Sequence, residues 1–322
     1  MINAKKNKIV LFMLLISVVV VSGCSIPFFG DGGQVTSQYE NDIVIIKDQS
    51  VYPQAVKSNQ KITLVTYIQN LAERNPDDFK VTVDLYDTCG VFKENGVEPK
   101  CPKSDQVEGT KCKDVELLPK EVKEISWTLD PDTQKVKVPI SSCKLKVAVS
   151  YPYKTVSQTE VYFINSAESR RQQEQGTFRE KSSVPQKGEG PIAAFIVPDS
   201  NVRQPIPDDA GSFPVSLYIE NKGAGFLASD YTIKGDGIEI KVDNTVLAEA
   251  GVDKENCVFL KDTSVWNGKE LKLIGKKSPP YPCPFNVPKD VSREKTSRIE
   301  VSFKQPYTYE FRKESSVTIE PS

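Results

Sequence analysis

Seven cysteines, a surplus of paired carboxylates and no histidine set the chemistry open to this chain. Without imidazole there is no Ser-His or Cys-His nucleophile pair, no His-ligated metal, and no general base poised near neutral pH. Both methionines, Met1 and Met13, lie in the N-terminal leader, so the rest of the chain also lacks thioether ligands. One cysteine has its own context. Lys5, Lys6 and Lys8 precede an apolar run from Ile9 to Val21, of about 13 residues against the roughly 20 that a bilayer crossing takes. Val21-Ser22-Gly23-Cys24 follows, a small residue directly before cysteine, which resembles a lipobox. Cleavage there removes residues 1–23 as a signal peptide and leaves Cys24 as a lipid-bearing N-terminus, with residues 24–38 as a tether. The competing reading is an uncleaved signal anchor extended by Ser25–Phe29. Both place the remainder outside the cytoplasm, anchored to a membrane.

The other six cysteines divide evenly, with Cys89, Cys101, Cys112 and Cys143 in the first half and Cys257 and Cys283 in the second. Even counts in an exported chain point to disulfides. Cys257 has only Cys283 nearby; that bond closes a loop of roughly 25 residues and contributes on the order of 3 kcal/mol through loop-closure entropy. In the first half, local reach favours Cys101–Cys112 across the polar stretch 90–114, and Cys89–Cys143 between two strand ends. A four-thiolate zinc site is the rival, but no C-x2-C pair exists to begin one. The pairs Asp77-Asp78, Asp208-Asp209 and Asp130/Asp132 lack the dense spacing of a calcium loop, and nothing singles out a glycosidase pair. Gly223-Ala224-Gly225 begins a G-x-G-x-x-A string, yet a strand-like stretch follows where a phosphate-binding helix is needed. No metal, cofactor or catalytic residue is expected, and the chain reads as a non-enzyme.

These residues must be positioned by short β-branched and aromatic runs between Gly, Pro, Asn and Asp clusters. In the first half the runs are Ile43–Ile46, Ile62–Ile68, Phe79–Tyr86, Val122–Leu129, Leu145–Val149 and Glu160–Ile164. In the second they are Ala193–Val197, Phe213–Ile219, Tyr231–Val242, Cys257–Leu260, Leu271–Ile274, Ile299–Phe303 and Val317–Ile319. Period-two alternation, as in Lys80–Tyr86, marks strands with one buried face. The spacing predicts an all-β chain of two tandem immunoglobulin-like sandwiches, over 39–165 and 191–322, with a polar linker at 166–190. The halves match one another. Lys61–Asn70 aligns with Ser212–Asn221, Asp78-Phe79 with Asp230-Tyr231, and Pro152-Tyr153 with Pro306-Tyr307, which reads as a duplication. Ala167–Lys181 suits an exposed helix weakened by Gly176, and Arg170-Arg171 is a candidate protease or partner site within an otherwise solvated linker. Tyr151, Tyr153, Tyr307 and Tyr309 flank prolines at equivalent positions of the two copies. They are candidates for a contact surface or, alternatively, caps on the sandwich cores.

Leu118–Leu129 resembles the strand-turn-strand signature of CARDB-type, immunoglobulin-like surface domains, and Asn221-Lys222-Gly223-Ala224-Gly225 resembles their Asn-x-Gly-x-Gly strand end. The resemblance implies a surface module for adhesion or assembly and no active site. The formal charge is −1, and loss of residues 1–23 leaves 39 basic against 43 acidic residues, which gives no positive field for nucleic acid. The expected function is therefore adhesion or assembly of an envelope complex by a membrane-tethered surface lipoprotein. Its partners would be the membrane, through Cys24, and another envelope protein or surface polymer. The alternative is a solute- or polysaccharide-binding lipoprotein. Two-lobed binding lipoproteins of the usual kind need helical runs, which are scarce here.

Overall fold

A computed structural model describes residues 41–75, 79–228, 238–242 and 276–322. The leader, the tether and Cys24 lie outside the described residues, as do Asp77-Asp78, Cys257 and the runs predicted at 257–260 and 271–274. The first half supplies β1 (Val44–Tyr52), β2 (Ala55–Lys57), β3 (Ile62–Asn70), β4 (Lys80–Asp87), β5 (Phe92–Lys100), β6 (Val107–Glu108), β7 (Lys111–Glu116), β8 (Val122–Pro131), β9 (Ile140–Tyr153) and β10 (Val156–Ile164). Helix α1 (Ser166–Glu174) follows. Then come β11 (Pro185–Gln186), β12 (Ile192–Pro198), β13 (Ile206–Pro207), β14 (Ser212–Asn221), β15 (Phe226–Leu227), β16 (Ile238–Val242), β17 (Tyr281–Asn286), β18 (Glu294–Phe303) and β19 (Tyr307–Glu320). The chain is an all-β sandwich protein with a single short α-helix among the described residues.

Burial follows the pleat. On β3, Ile62, Leu64, Thr66 and Ile68 face inward, and the residues between them are partly or fully wet. Two layers form the first sandwich: β1-β3-β8-β5, and a broad sheet ordered β15-β19-β9-β4-β7-β6 with β2 added beside β19. Trp127 of β8 is fully buried between them and donates its indole N–H to the Thr110 carbonyl at 2.8 Å. The second sandwich sets β12-β14-β17 against β11-β10-β18-β16.

The strand orders of the two halves correspond. β3 lies between β1 and β8, and its counterpart β14 lies between β12 and β17. β9 lies between β4 and β19, while β18 lies between β16 and β10. The final strand of each copy is therefore housed in the other copy's sandwich. β19 pairs along β9 from Tyr307↔Tyr153 to Ile319↔Ile140, and β10 pairs with β18 from Val156↔Ser302 to Ile164↔Glu294. The boundaries read from the sequence, 39–165 and 191–322, are thus crossed by two β-ladders, and Gln38–Ser322 clusters as one compact unit.

Turn chemistry explains the crossing. A hairpin folding β10 back onto β9 would need Asn-Gly or a similar positive-φ pair, but the connection is Lys154-Thr155. The return connection, Lys304-Gln305-Pro306, has no glycine either. Both connections run on into the neighbouring sandwich instead of reversing.

The linker helix forms where predicted but is shorter. The Asn165 side chain caps it by accepting from Ala167 N and Glu168 N. Beyond Glu174 the backbone reaches Gly176 at φ 64°, a left-handed stop that a side chain would strain.

Candidate functional site

The four tyrosines singled out in the sequence come together, but not at the surface. Tyr151 is 1% exposed, Tyr153 7%, and Tyr307 and Tyr309 are fully buried. The contact-surface expectation is therefore corrected. Tyr151 and Tyr153 end β9, Tyr307 and Tyr309 begin β19, and the register sets Tyr153 opposite Tyr307 and Tyr151 opposite Tyr309. Ring centroids are 6.4 Å and 5.8 Å apart in these pairs. Alternation turns all four inward, into the seam where the chain passes between sandwiches.

A buried hydroxyl needs a partner, and those of Tyr151, Tyr307 and Tyr309 find theirs on different elements. Ile43 N, just before β1, donates to the Tyr151 hydroxyl at 3.2 Å. Ile192 N, at the start of β12, donates to the Tyr307 hydroxyl at 3.1 Å, and Thr155 Oγ1 lies 2.7 Å from that oxygen. The Tyr309 hydroxyl donates to Asn221 Oδ1 at 3.0 Å. The starts of β1 and β12, the end of β14 and the β10 connection are thereby pinned to one pair of strands.

Asn221–Gly225 completes the seam. Asn221 Oδ1 also accepts from Gly223 N at 3.0 Å, and its Nδ2 donates to the Gly225 carbonyl at 2.8 Å. Ala224 N donates to the Asp42 carboxylate, at 3.0 Å to Oδ2. The glycines are required by close approach. A Cβ on Gly223 would lie 2.4 Å from Asp42 Oδ1, and one on Gly225 would lie 2.2 Å from the Glu310 carbonyl oxygen. The string that begins with these glycines is a turn between β14 and β15, and it binds another part of the chain.

Asp42 is the seam residue that sequence reasoning missed. It is 2% exposed and lies two residues before β1. Burial pushes its carboxyl above the usual range; the Ala224 N–H, the Tyr309 hydroxyl and the nearby Lys276 ammonium partly offset this. Burial also raises Tyr153 to about 12 and holds Tyr151 and Tyr309 well above the ordinary phenol range. The seam is thus a set of neutral phenols around one carboxylate, with nothing arranged as a nucleophile and base. Its only signal in the sequence was an isolated aspartate before an apolar run, which a turn residue explains equally well.

Cys89 is bonded to Cys143 and Cys101 to Cys112, the pairing that local reach favours. Cys283 is disulfide-bonded; its expected partner, Cys257, lies outside the described residues. The carboxylate pairs serve local structure. Asp208 accepts from Ser166 N at 2.9 Å and Val291 N at 3.2 Å, Asp209 pairs with Arg170, and Asp130 pairs with Lys93. Among the described residues no group of three or more His, Cys, Asp or Glu side chains could hold a metal.

An accessible concavity lies on the second sandwich. This open groove of about 810 Å³ is lined by Lys181, Ser183, Asp199, Arg203, Gln204 and Tyr218 among others. Tyr218 stacks on Phe195 at 5.7 Å, and Lys277 Nζ sits 4.2 Å from the tyrosine ring centroid. Gln204 in the lining is already engaged, accepting from Tyr162 N and donating to Ser183 Oγ. No helix among the described residues is long and apolar enough to cross a membrane.

No family model matches the chain, and no curated protein matches it. Among solved structures, the collagen-binding domain of the Erysipelothrix rhusiopathiae surface protein RspB aligns at 10% identity, covering 88% of this chain and 92% of that one. The TM-score is 0.14, so this likeness carries no weight for fold or function.

Proposed function

We propose that this chain is a non-catalytic surface lipoprotein, tethered to a membrane through Cys24, that acts in adhesion or in assembly of an envelope complex. The supporting observation is how the start of the folded body is held. Asp42 and Ile43, the first buried residues among those described, are fixed in the seam by Ala224 from one copy and Tyr151 from the other. A pull on the tether would thus be shared at once between both sandwiches, through long antiparallel ladders. The Cys89–Cys143 and Cys101–Cys112 bonds suit an oxidising, extracytoplasmic setting. The short motifs shared with CARDB-type domains point the same way. The test is mass spectrometry of membrane-extracted protein together with Cys24→Ser. Lipid on Cys24, and release of the variant with loss of cell adhesion or complex assembly, are expected. An unmodified Cys24 on an intact leader would overturn the lipoprotein reading.

A second reading, a polysaccharide- or solute-binding lipoprotein, draws on the groove beside Tyr218. It predicts that Tyr218→Ala abolishes binding to surface polysaccharide without changing the thermal midpoint.

A further inference from the structure

The exchange leaves each half of the chain one strand short. Without β19, β9 offers an unpaired edge along its 14 residues, and Leu145, Val147 and Val149 lose their neighbours on that side. Without β10, β18 is open from Glu294 to Ser302. Such edges pair with whatever complementary strand is present. The strand that fits β9 is β19 and the strand that fits β18 is β10. Nothing in either ladder distinguishes a strand of the same chain from that of another copy. The halves are otherwise joined in sequence only by residues 165–190, whose start bonds the second half through Asn165 N to the Arg293 carbonyl and Ser166 N to Asp208, whose Lys181 bridges Gln204, and whose Pro185-Gln186 pairs with β10; the stretch between, residues 175–180, is mostly exposed. With the helix and those pairings kept, residues 175–180 extended reach on the order of 20 Å at roughly 3.3 Å per residue, enough to pass between two adjacent folded bodies.

We propose that two copies of this chain complete one another in trans. The first half of each lends β10 to the second half of its partner and takes that partner's β19 in return, giving a closed dimer connected by the two 165–190 segments. The ladders are the same in the single chain and in the dimer, so the balance between them is set by concentration. A linker of this kind presents the chain's own second half at an effective concentration in the millimolar range, which favours the monomer in dilute solution. Crowding shifts it toward the dimer. Synthesis does so too, because β9 is complete some 150 residues before β19 exists and its edge stays open meanwhile. The crowding element rests on the membrane-tethered reading above; the strand exchange does not.

Lys146 and Glu314 are directly opposite on β9 and β19 and face outward, so cysteines there report which chain supplied the strand. The full chain would be co-expressed as two tagged forms, one carrying Lys146→Cys and the other Glu314→Cys, and oxidised on membranes. We expect a covalent heterodimer at roughly tenfold the level given by Lys146→Cys chains alone, reflecting the gain from a docked strand over random collision. The double variant, with both cysteines in one chain, should also cross-link internally. Internal cross-linking of the double variant with heterodimer no higher than in the control would overturn the proposal. Repeating the mixture with Cys24→Ser in solution at rising concentration separates the two readings. Heterodimer that grows with concentration there supports the exchange even if the lipid anchor is disproved, and its absence in both settings refutes the exchange itself.

Discussion

The seam and the linker both join the two copies, and they do so in opposite ways. Residues 165–190 carry the covalent connection, yet their helix is polar and exposed, capped by Asn165 and laced by the Arg171–Glu168 pair. The seam around Tyr151, Tyr153, Tyr307 and Tyr309 is crossed by two short connections, and there the side chains are buried and every phenol except that of Tyr153 has a hydrogen-bond partner named above. Sequence continuity and physical continuity therefore lie in different places. Cutting the linker should cost little, and disturbing the seam should cost much.

The largest effect is expected from Tyr309→Ala. It removes a fully buried ring in contact with Tyr151 and leaves Asp42 and Asn221 without their phenol partner, for a loss of about 3–5 kcal/mol in chemical denaturation. Both sandwiches should lose stability together, because the ring belongs to both. A transition that splits in two would mean that the seam does not couple them.

Next comes the Cys89–Cys143 bond, which closes a separation of 54 residues within the first sandwich. Replacing both cysteines by serine should cost roughly 2–4 kcal/mol, and more than the same change at Cys101–Cys112, whose loop is shorter. Equal losses at the two sites would argue against loop-closure entropy as the main cause.

A smaller effect sharpens the account of Asp42. Its folded-state pKa is raised, so the native protein holds that proton more tightly than the unfolded chain does. The associated stability is present below the unfolded value of about 3.9 and is lost as pH rises through the folded one. Compared with Asp42→Asn, the wild type should weaken between mildly acidic and neutral pH. Parallel pH profiles of the two proteins would show that the carboxylate is not held as described. Least of all, Arg171→Ala in the linker should leave the unfolding midpoint unchanged, since the ion pair it breaks with Glu168 is solvent-exposed.

How far this contrast was legible in the sequence depends on what periodicity can encode. Alternation located β3, β4 and β14 because each buries alternate apolar residues. It passed over β5, whose Lys-Glu-Asn-Gly stretch lies at a sheet edge with little to bury, and β17, whose two prolines argue against a strand. The disulfides were legible because four cysteines in one half offer few pairings. The exchange was not. A buried stripe states that a strand has a covered face but does not name the neighbouring strand, and duplicated copies make the neighbours interchangeable. The one local clue was the absence of hairpin residues at Lys154-Thr155 and Lys304–Pro306. The tyrosines were recognised as a group, but whether an aromatic beside a proline faces water or core is decided by what packs over it. Here that is Asp42 and the Asn221–Gly225 turn, distant in sequence from both β9 and β19.

The most direct test severs the linker and asks what holds. A protease site inserted after Gly176, which is exposed and has open space around it, allows the folded chain to be cut between β10 and β12. The reciprocal exchange predicts that the two fragments stay together as one particle of unchanged mass in native mass spectrometry, and separate only under denaturant. Fragments that part in native buffer, each retaining its β-type circular dichroism, would show two self-sufficient sandwiches and contradict the exchange of β10 and β19.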